Sequence, residues 1–142
     1  MPEKWERHPL LCISLFLSAC GREPSNSDFD IDLAELSLTV IQAEYQRIVS
    51  NPDDYIGKTI RVYGSYQSFI ANDTGNIVHY IIIVPGDVCC QLGFEFIRTA
   101  NYKFPEDYPK QNSMILINGT LEKNDASSAL RLIINATDIT AT

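Results

Sequence analysis

Two adjacent thiols, Cys89 and Cys90, are the residues whose type and spacing come nearest to chemistry in this chain. Neighbouring cysteines can close a vicinal disulfide, hold a soft metal ion as thiolates, or lie buried as two small apolar side chains. On a regular strand successive side chains point to opposite faces, so both sulfurs reach one metal or each other only where residues 87–90 form a turn or bulge. Pro85 and Gly86 supply a turn signal just before them. Asp87 is the nearest additional ligand, which makes Asp87, Cys89 and Cys90 the candidate thiol or metal site, with a soft metal ion as the one cofactor to consider. Apart from His8 the chain has a single histidine, His79. If residues 77–84 and 89–97 form a hairpin about Gly86, His79 pairs near Phe94 or Glu95, roughly 16 Å from Cys89 at the strand rise, and is a poor co-ligand. It reads instead as a surface or half-buried strand residue, and a complete four-ligand zinc site cannot be assembled from local residues.

Enzyme chemistry has less support. There is no G-x-S-x-G elbow, Walker loop, dinucleotide fingerprint or H-E-x-x-H motif, and a lone imidazole leaves a Ser or Cys nucleophile with one possible base. The adjacent carboxylates Asp53-Asp54 and Glu106-Asp107 fall in loop-like stretches, where solvation or capping is the commoner role. Tyr63, Tyr66 and Phe69 could stack on a sugar or base, although packing inside a barrel explains such residues equally simply. The expectation is a protein that is not an enzyme.

The sharpest motif is an address. Lys4 and Arg7 precede an uncharged apolar run from Pro9 to Ala19, about the length of a signal-peptide core and short of the roughly 20 residues a spanning helix needs. The run ends in Leu17-Ser18-Ala19-Cys20, which resembles the bacterial lipobox, an apolar residue and two small ones before a cysteine that becomes lipidated. Residues 1–19 are therefore expected to be a lipoprotein signal peptide and Cys20 the lipidation site, holding the protein to a membrane through its acyl chains. Glu3 and Glu6 offset Lys4 and Arg7, so removing the leader leaves the net charge unchanged. Gly21 stands where an inner-membrane retention signal usually places Asp, which favours the outer membrane in a bacterium that has two. The expected location is extracytoplasmic and lipid-anchored.

The elements that must position any site follow from pattern. The chain has 142 residues, 45% hydrophobic, which accommodates one small domain and excludes a two-domain enzyme. With 18 acidic against 11 basic side chains the net charge is −7, which opposes nucleic-acid binding. Residues 20–32 read as the lipidated cysteine and a flexible Gly/Pro/Ser tether, and residues 33–142 as the domain. Leu33, Leu36, Val40, Ile41, Tyr45, Ile48 and Val49 recur at helical spacing, predicting an N-terminal amphipathic helix that Asp32 caps and Pro52 ends. Five strands follow, over residues 59–66, 77–84, 92–97, 114–122 and 130–136. Gly64 and Gly119 occupy apolar-face positions of the first and fourth, where a strand bends or another backbone comes close. The fold class is thus mainly β, a five-stranded OB-like Greek-key barrel with an N-terminal helix. Pro105 and Pro109 predict a loop or single turn in place of a helix between the third and fourth strands, with Tyr102, Phe104 and Tyr108 plugging a barrel end.

Residues 51–64, from Asn51-Pro52-Asp53-Asp54-Tyr55-Ile56-Gly57-Lys58 onward, followed by Asp87 to Phe96 and by Tyr108-Pro109, carry a resemblance. This stretch, about residues 50–122, resembles uncharacterised bacterial lipoproteins with an OB-like domain. More distantly it is similar to the extracytoplasmic domain of a permease-subunit family that shares the Tyr-Ile-Gly-Lys opening and a Cys-Cys pair. The resemblance implies the fold, an envelope setting, an envelope or permease protein as a possible partner, and Cys89, Cys90 and Gly93 as residues to watch. The permease family's membrane helices have no counterpart in this sequence. The resulting expectation is a lipid-anchored extracytoplasmic binding or accessory module of the bacterial cell envelope. The alternative is a thiol-dependent soft-metal-binding or redox protein using Cys89 and Cys90.

Overall fold

A computed structural model describes residues 28–84, 91–125 and 131–142. Its elements run β1 (Ile31–Asp32), α1 (Leu38–Ser50), β2 (Thr59–Ile70), β3 (Ile77–Val84), β4 (Leu92–Ile97), β5 (Met114–Lys123) and β6 (Leu132–Ala141). β2 to β6 close into a barrel in the order β2-β3-β4-β6-β5 and back to β2, with β4 and β6 the one parallel pair among these five. This is the expected OB-like architecture.

Strict alternation builds the interior. Ile60, Val62 and Tyr66 from β2, Ile81 and Ile83 from β3, Phe94 and Phe96 from β4, Ile115, Ile117 and Leu121 from β5, and Leu132, Ile134 and Ala136 from β6 form a single core cluster. Closure depends on β2 serving two partners: residues 59–65 pair with β5 and residues 65–70 with β3. Gly64 sits at the handover. A Cβ built there lies 2.3 Å from the carbonyl oxygen of Ile82, and one at Gly119 lies 2.5 Å from that of Asn135, so both positions exclude any side chain. The glycines expected at points of close backbone approach are found there.

Differences from expectation cluster at the N-terminal side. The helix begins at Leu38 rather than Leu33, and Ser37 is its N-cap residue. Leu33 remains extended because its amide continues the β1–β2 ladder, donating to the Arg61 carbonyl at 2.8 Å, and its side chain enters the core. Asp32 is engaged elsewhere: one oxygen accepts the Ala34 amide and the other meets Arg61 at 3.3 Å. Ile31 and Asp32, expected at the end of the tether, pair with Ile60 and Arg61. The helix buries Ile41, Tyr45 and Ile48, an i, i+4, i+7 stripe, against the barrel. Asn51 closes it, Pro52–Asp54 make one 3-10 turn, and Gly57 at φ +82° returns the chain to β2.

Between β4 and β5 there is no helix among residues 98–113, as the prolines implied. The aromatic plug is narrower than expected. Tyr108 is half-buried against the core, whereas Tyr102 and Phe104 remain 40% and 42% exposed. The β3–β4 register also differs: His79 pairs with Phe96, and a bulge near Ile82 and Val84 accompanies the shift.

Candidate functional site

His79 and Tyr80 show how one strand builds two unlike environments. The side chain of His79 points inward and is 8% exposed, which corrects the expectation of a surface or half-buried residue. Its Nδ1 lies 2.8 Å from the Tyr66 hydroxyl, and its ring stacks on Tyr108 with centroids 4.1 Å apart. Phe96 and Phe104 complete the ring cluster. Burial lowers the His79 pKa below the ordinary histidine value by disfavouring the imidazolium. Enclosed in this way, the imidazole belongs to the packed interior of the barrel.

The opposite parity of β3 faces outward. Val78, Tyr80 and Ile82 form the floor of a groove of about 610 Å³, flanked by Phe69 and Ile70 of β2 and by Gly93 and Glu95 of β4. Residues 71–74 of the β2–β3 turn border it, and Tyr45 and Gln91 also line it. The turn is held by its own backbone, with the Ala71 amide on the Asn76 carbonyl at 2.8 Å and the Gly75 amide on the Ala71 carbonyl at 2.7 Å. Gly75 takes φ +69°, which a glycine adopts without strain.

Three polar side chains of the groove, Tyr45, Tyr80 and Glu95, are held by neighbouring elements. The Tyr45 hydroxyl reaches from α1 and donates to the Gly93 carbonyl at 3.0 Å, fixing the helix to β4 beside its ring contact with Phe94. Desolvation raises the Tyr45 pKa, so the phenol stays protonated as a donor. Tyr80 and Glu95 are directly opposite on β3 and β4. Burial, then the Glu95 side chain opposite it, raises the Tyr80 pKa. The Asn124 amide donates to the Glu95 carboxylate at 3.2 Å. Phe69 meets Tyr80 edge-on, centroids 5.9 Å apart, and is 48% exposed. Among the described residues lining the groove there are two carboxylates, Asp73 and Glu95, and no Lys, Arg or His.

Such an arrangement can bind and orient a ligand of a few hundred Å³. It joins ring faces and apolar floor with a small number of hydrogen-bonding groups.

The candidate residues fall out unevenly. Cys20, Asp87, Cys89 and Cys90 lie outside the described residues. Among the described residues no group of three or more His, Cys, Asp or Glu is placed to hold a metal. Gly93, singled out with the Cys-Cys pair, lines the groove, and a Cβ there would lie 2.6 Å from the Ile81 carbonyl oxygen. Of the three aromatics considered for stacking, Phe69 lies in the groove, Tyr66 is 1% exposed in the core, and Tyr63 is absent from the groove lining. Tyr80 is concealed in the sequence because β3 is nearly all apolar, which hides its parity, and Glu95 of β4 joins it only through the β3–β4 register. Counting outward from the inward-facing Ile81 would have found Tyr80. No family model and no curated protein sequence matches the chain.

Proposed function

We propose that this protein is a lipid-anchored extracytoplasmic binding module of the bacterial cell envelope, and that the groove over β2, β3 and β4 is its ligand site. The observation that carries the binding half is the position of the groove. In an OB barrel the face of the second and third strands and the loop joining the first and second are where ligands are held. Here β3, β4 and the residue 71–76 turn occupy those positions, and the lining they give the groove sets Tyr80 and Glu95 beside the apolar Val78 and Ile82. The anchoring half is supported by Leu17-Ser18-Ala19-Cys20 after a short apolar run. Among the described residues no helix is long and apolar enough to cross a membrane.

Each half has its own test. Cells expressing the full chain are fed an alkyne fatty acid and fractionated. Label on the protein and pelleting with membranes are expected, and both are lost in Cys20→Ala. Label that survives Cys20→Ala overturns the anchor. For binding, the isotope-labelled protein in neutral detergent is mixed with a low-molecular-mass extract of bacterial envelope. Amide shifts gathered at Phe69, Tyr80, Gly93 and Glu95 are expected, and shifts confined to the β5–β6 face overturn the assignment of the site.

A further inference from the structure

The charge and shape of the groove narrow its ligand. We propose that it takes an organic cation, a linear alkylammonium compound of polyamine type, with an ammonium held between Glu95 and the rings of Tyr80 and Phe69. The inference rests on the groove being the ligand site proposed above. Its first support is charge complementarity. The lining includes Asp73 and Glu95 and no basic side chain among the described residues, on a chain of net charge −7, so a phosphate or carboxylate ligand meets repulsion and a cation meets attraction.

The second support is the carboxylate itself. Glu95 accepts from the Asn124 amide at 3.2 Å, a neutral donor that orients the carboxylate without offsetting its charge, and it stands opposite Tyr80 across β3 and β4. A carboxylate offers about four acceptor positions, and the Asn124 amide leaves capacity for an ammonium. The third is the aromatic pair. Tyr80 and Phe69 meet at 61°, and the half-exposed Phe69 ring offers a face to a cation, which ring quadrupoles attract within about 6 Å. Finally, Val78 and Ile82 flank Tyr80 along the floor, while Asp73 stands on the turn and Glu95 on β4. Two separated carboxylates over an apolar strip match a ligand in which ammonium groups alternate with methylene chains.

The experiment titrates spermidine into the full mature protein in neutral detergent, followed by amide shifts and calorimetry, with cellotetraose and inorganic phosphate as comparison probes. Spermidine is expected to move the resonances of Phe69, Tyr80 and Glu95 and to bind more weakly as ionic strength rises. Glu95→Gln is expected to weaken it about tenfold, the loss of one charge-assisted contact, with a thermal transition near that of the parent. Phe69→Leu, at a half-exposed site, gives a second and independent loss should Glu95→Gln fold poorly. Glu122→Gln, whose carboxylate bonds Asn135 on another face, is expected to change nothing. Equal weakening by Glu95→Gln and Glu122→Gln means diffuse counter-ion attraction and overturns the inference. Groove shifts with cellotetraose or phosphate but none with spermidine overturn the cation while leaving the groove as the binding site. If the envelope extract moves the groove and spermidine does not, the inference again fails and the proposed function stands.

Discussion

Consecutive residues of β3 belong to two aromatic clusters of opposite character. His79 is enclosed by Tyr66, Phe96, Phe104 and Tyr108, with a hydrogen bond to a phenol and no solvent-facing task. Tyr80 carries Phe69 and Glu95 beside it and opens on a groove of about 610 Å³. The same residue types do different work because strand alternation sends one ring into a water-excluding interior and the next toward ligand-sized space. If that contrast is right, substitutions in the enclosed cluster change stability, and substitutions in the open one change binding with little effect on stability.

The largest separation is expected between Phe96→Ala and Phe69→Ala. Phe96 is fully enclosed, and its truncation leaves a cavity costing about 3–5 kcal/mol. Phe69 is 48% exposed, and losing its partial burial costs about 1 kcal/mol. Urea unfolding of both variants measures the difference. Comparable losses would erase the distinction between the two clusters.

The enclosed and open regions were unequally legible in the sequence. Period-two alternation in β2 and β5, interrupted by Gly64 and Gly119 on the inward face, contained enough to place the barrel, because a backbone that passes 2.3 Å from a notional Cβ permits no other residue. The start of the helix was misplaced for a physical reason. Leu33 and Leu36 fit helical spacing, yet the backbone of Leu33 is already committed to a parallel ladder with β2, a long-range pairing that local periodicity does not encode. The groove was hidden for a related reason. Its floor lies on a strand apolar on both faces, and its character arises from Glu95 and Phe69 brought beside Tyr80 by cross-strand register. The Cys-Cys pair drew attention as sequence because adjacency is visible there, whereas a cross-strand triad is visible only once register is known.

A smaller effect tests the enclosed cluster through its proton. Burial lowers the His79 pKa in the folded protein, while the unfolded chain retains an ordinary value of about 6.5. Below that value the unfolded state binds a proton that the folded state resists, so stability contributed by the neutral imidazole is present above about pH 6.5 and is lost as pH falls toward the folded value. The titratable groups against the ring are the phenols of Tyr66 and Tyr108, and the Arg98 guanidinium lies 5.9 Å from the Tyr108 ring, so the contacts described at the imidazole contain no carboxylate to stabilise the imidazolium. Denaturant melts of the parent and of His79→Phe are therefore expected to diverge below about pH 6.5, with the parent losing more, and the difference between the two curves cancels the carboxylates that titrate in both. A difference that stays flat from pH 8 to pH 5 would show that the imidazole finds solvent or a counter-charge.

The smallest expected change is the most discriminating for the contrast. Tyr80→Phe and Tyr66→Phe each remove one hydroxyl, from neighbouring strands and opposite faces of the barrel wall. Tyr66 is 1% exposed and its hydroxyl pairs with His79 Nδ1, so its loss leaves a buried imidazole nitrogen without that partner and costs about 1–2 kcal/mol. Tyr80 lines the groove opposite Glu95, where water can solvate its hydroxyl, and the loss of that group is expected to cost less than about 0.5 kcal/mol. The proposed ligand reverses the order. Tyr80→Phe keeps the ring proposed to meet the ammonium, so spermidine affinity falls by less than about threefold, and Tyr66→Phe leaves it unchanged. Measured together, unfolding free energy and affinity should move on different variants. A single variant that moved both by large factors would show that the open face and the sealed interior are coupled through β3 rather than separated by it.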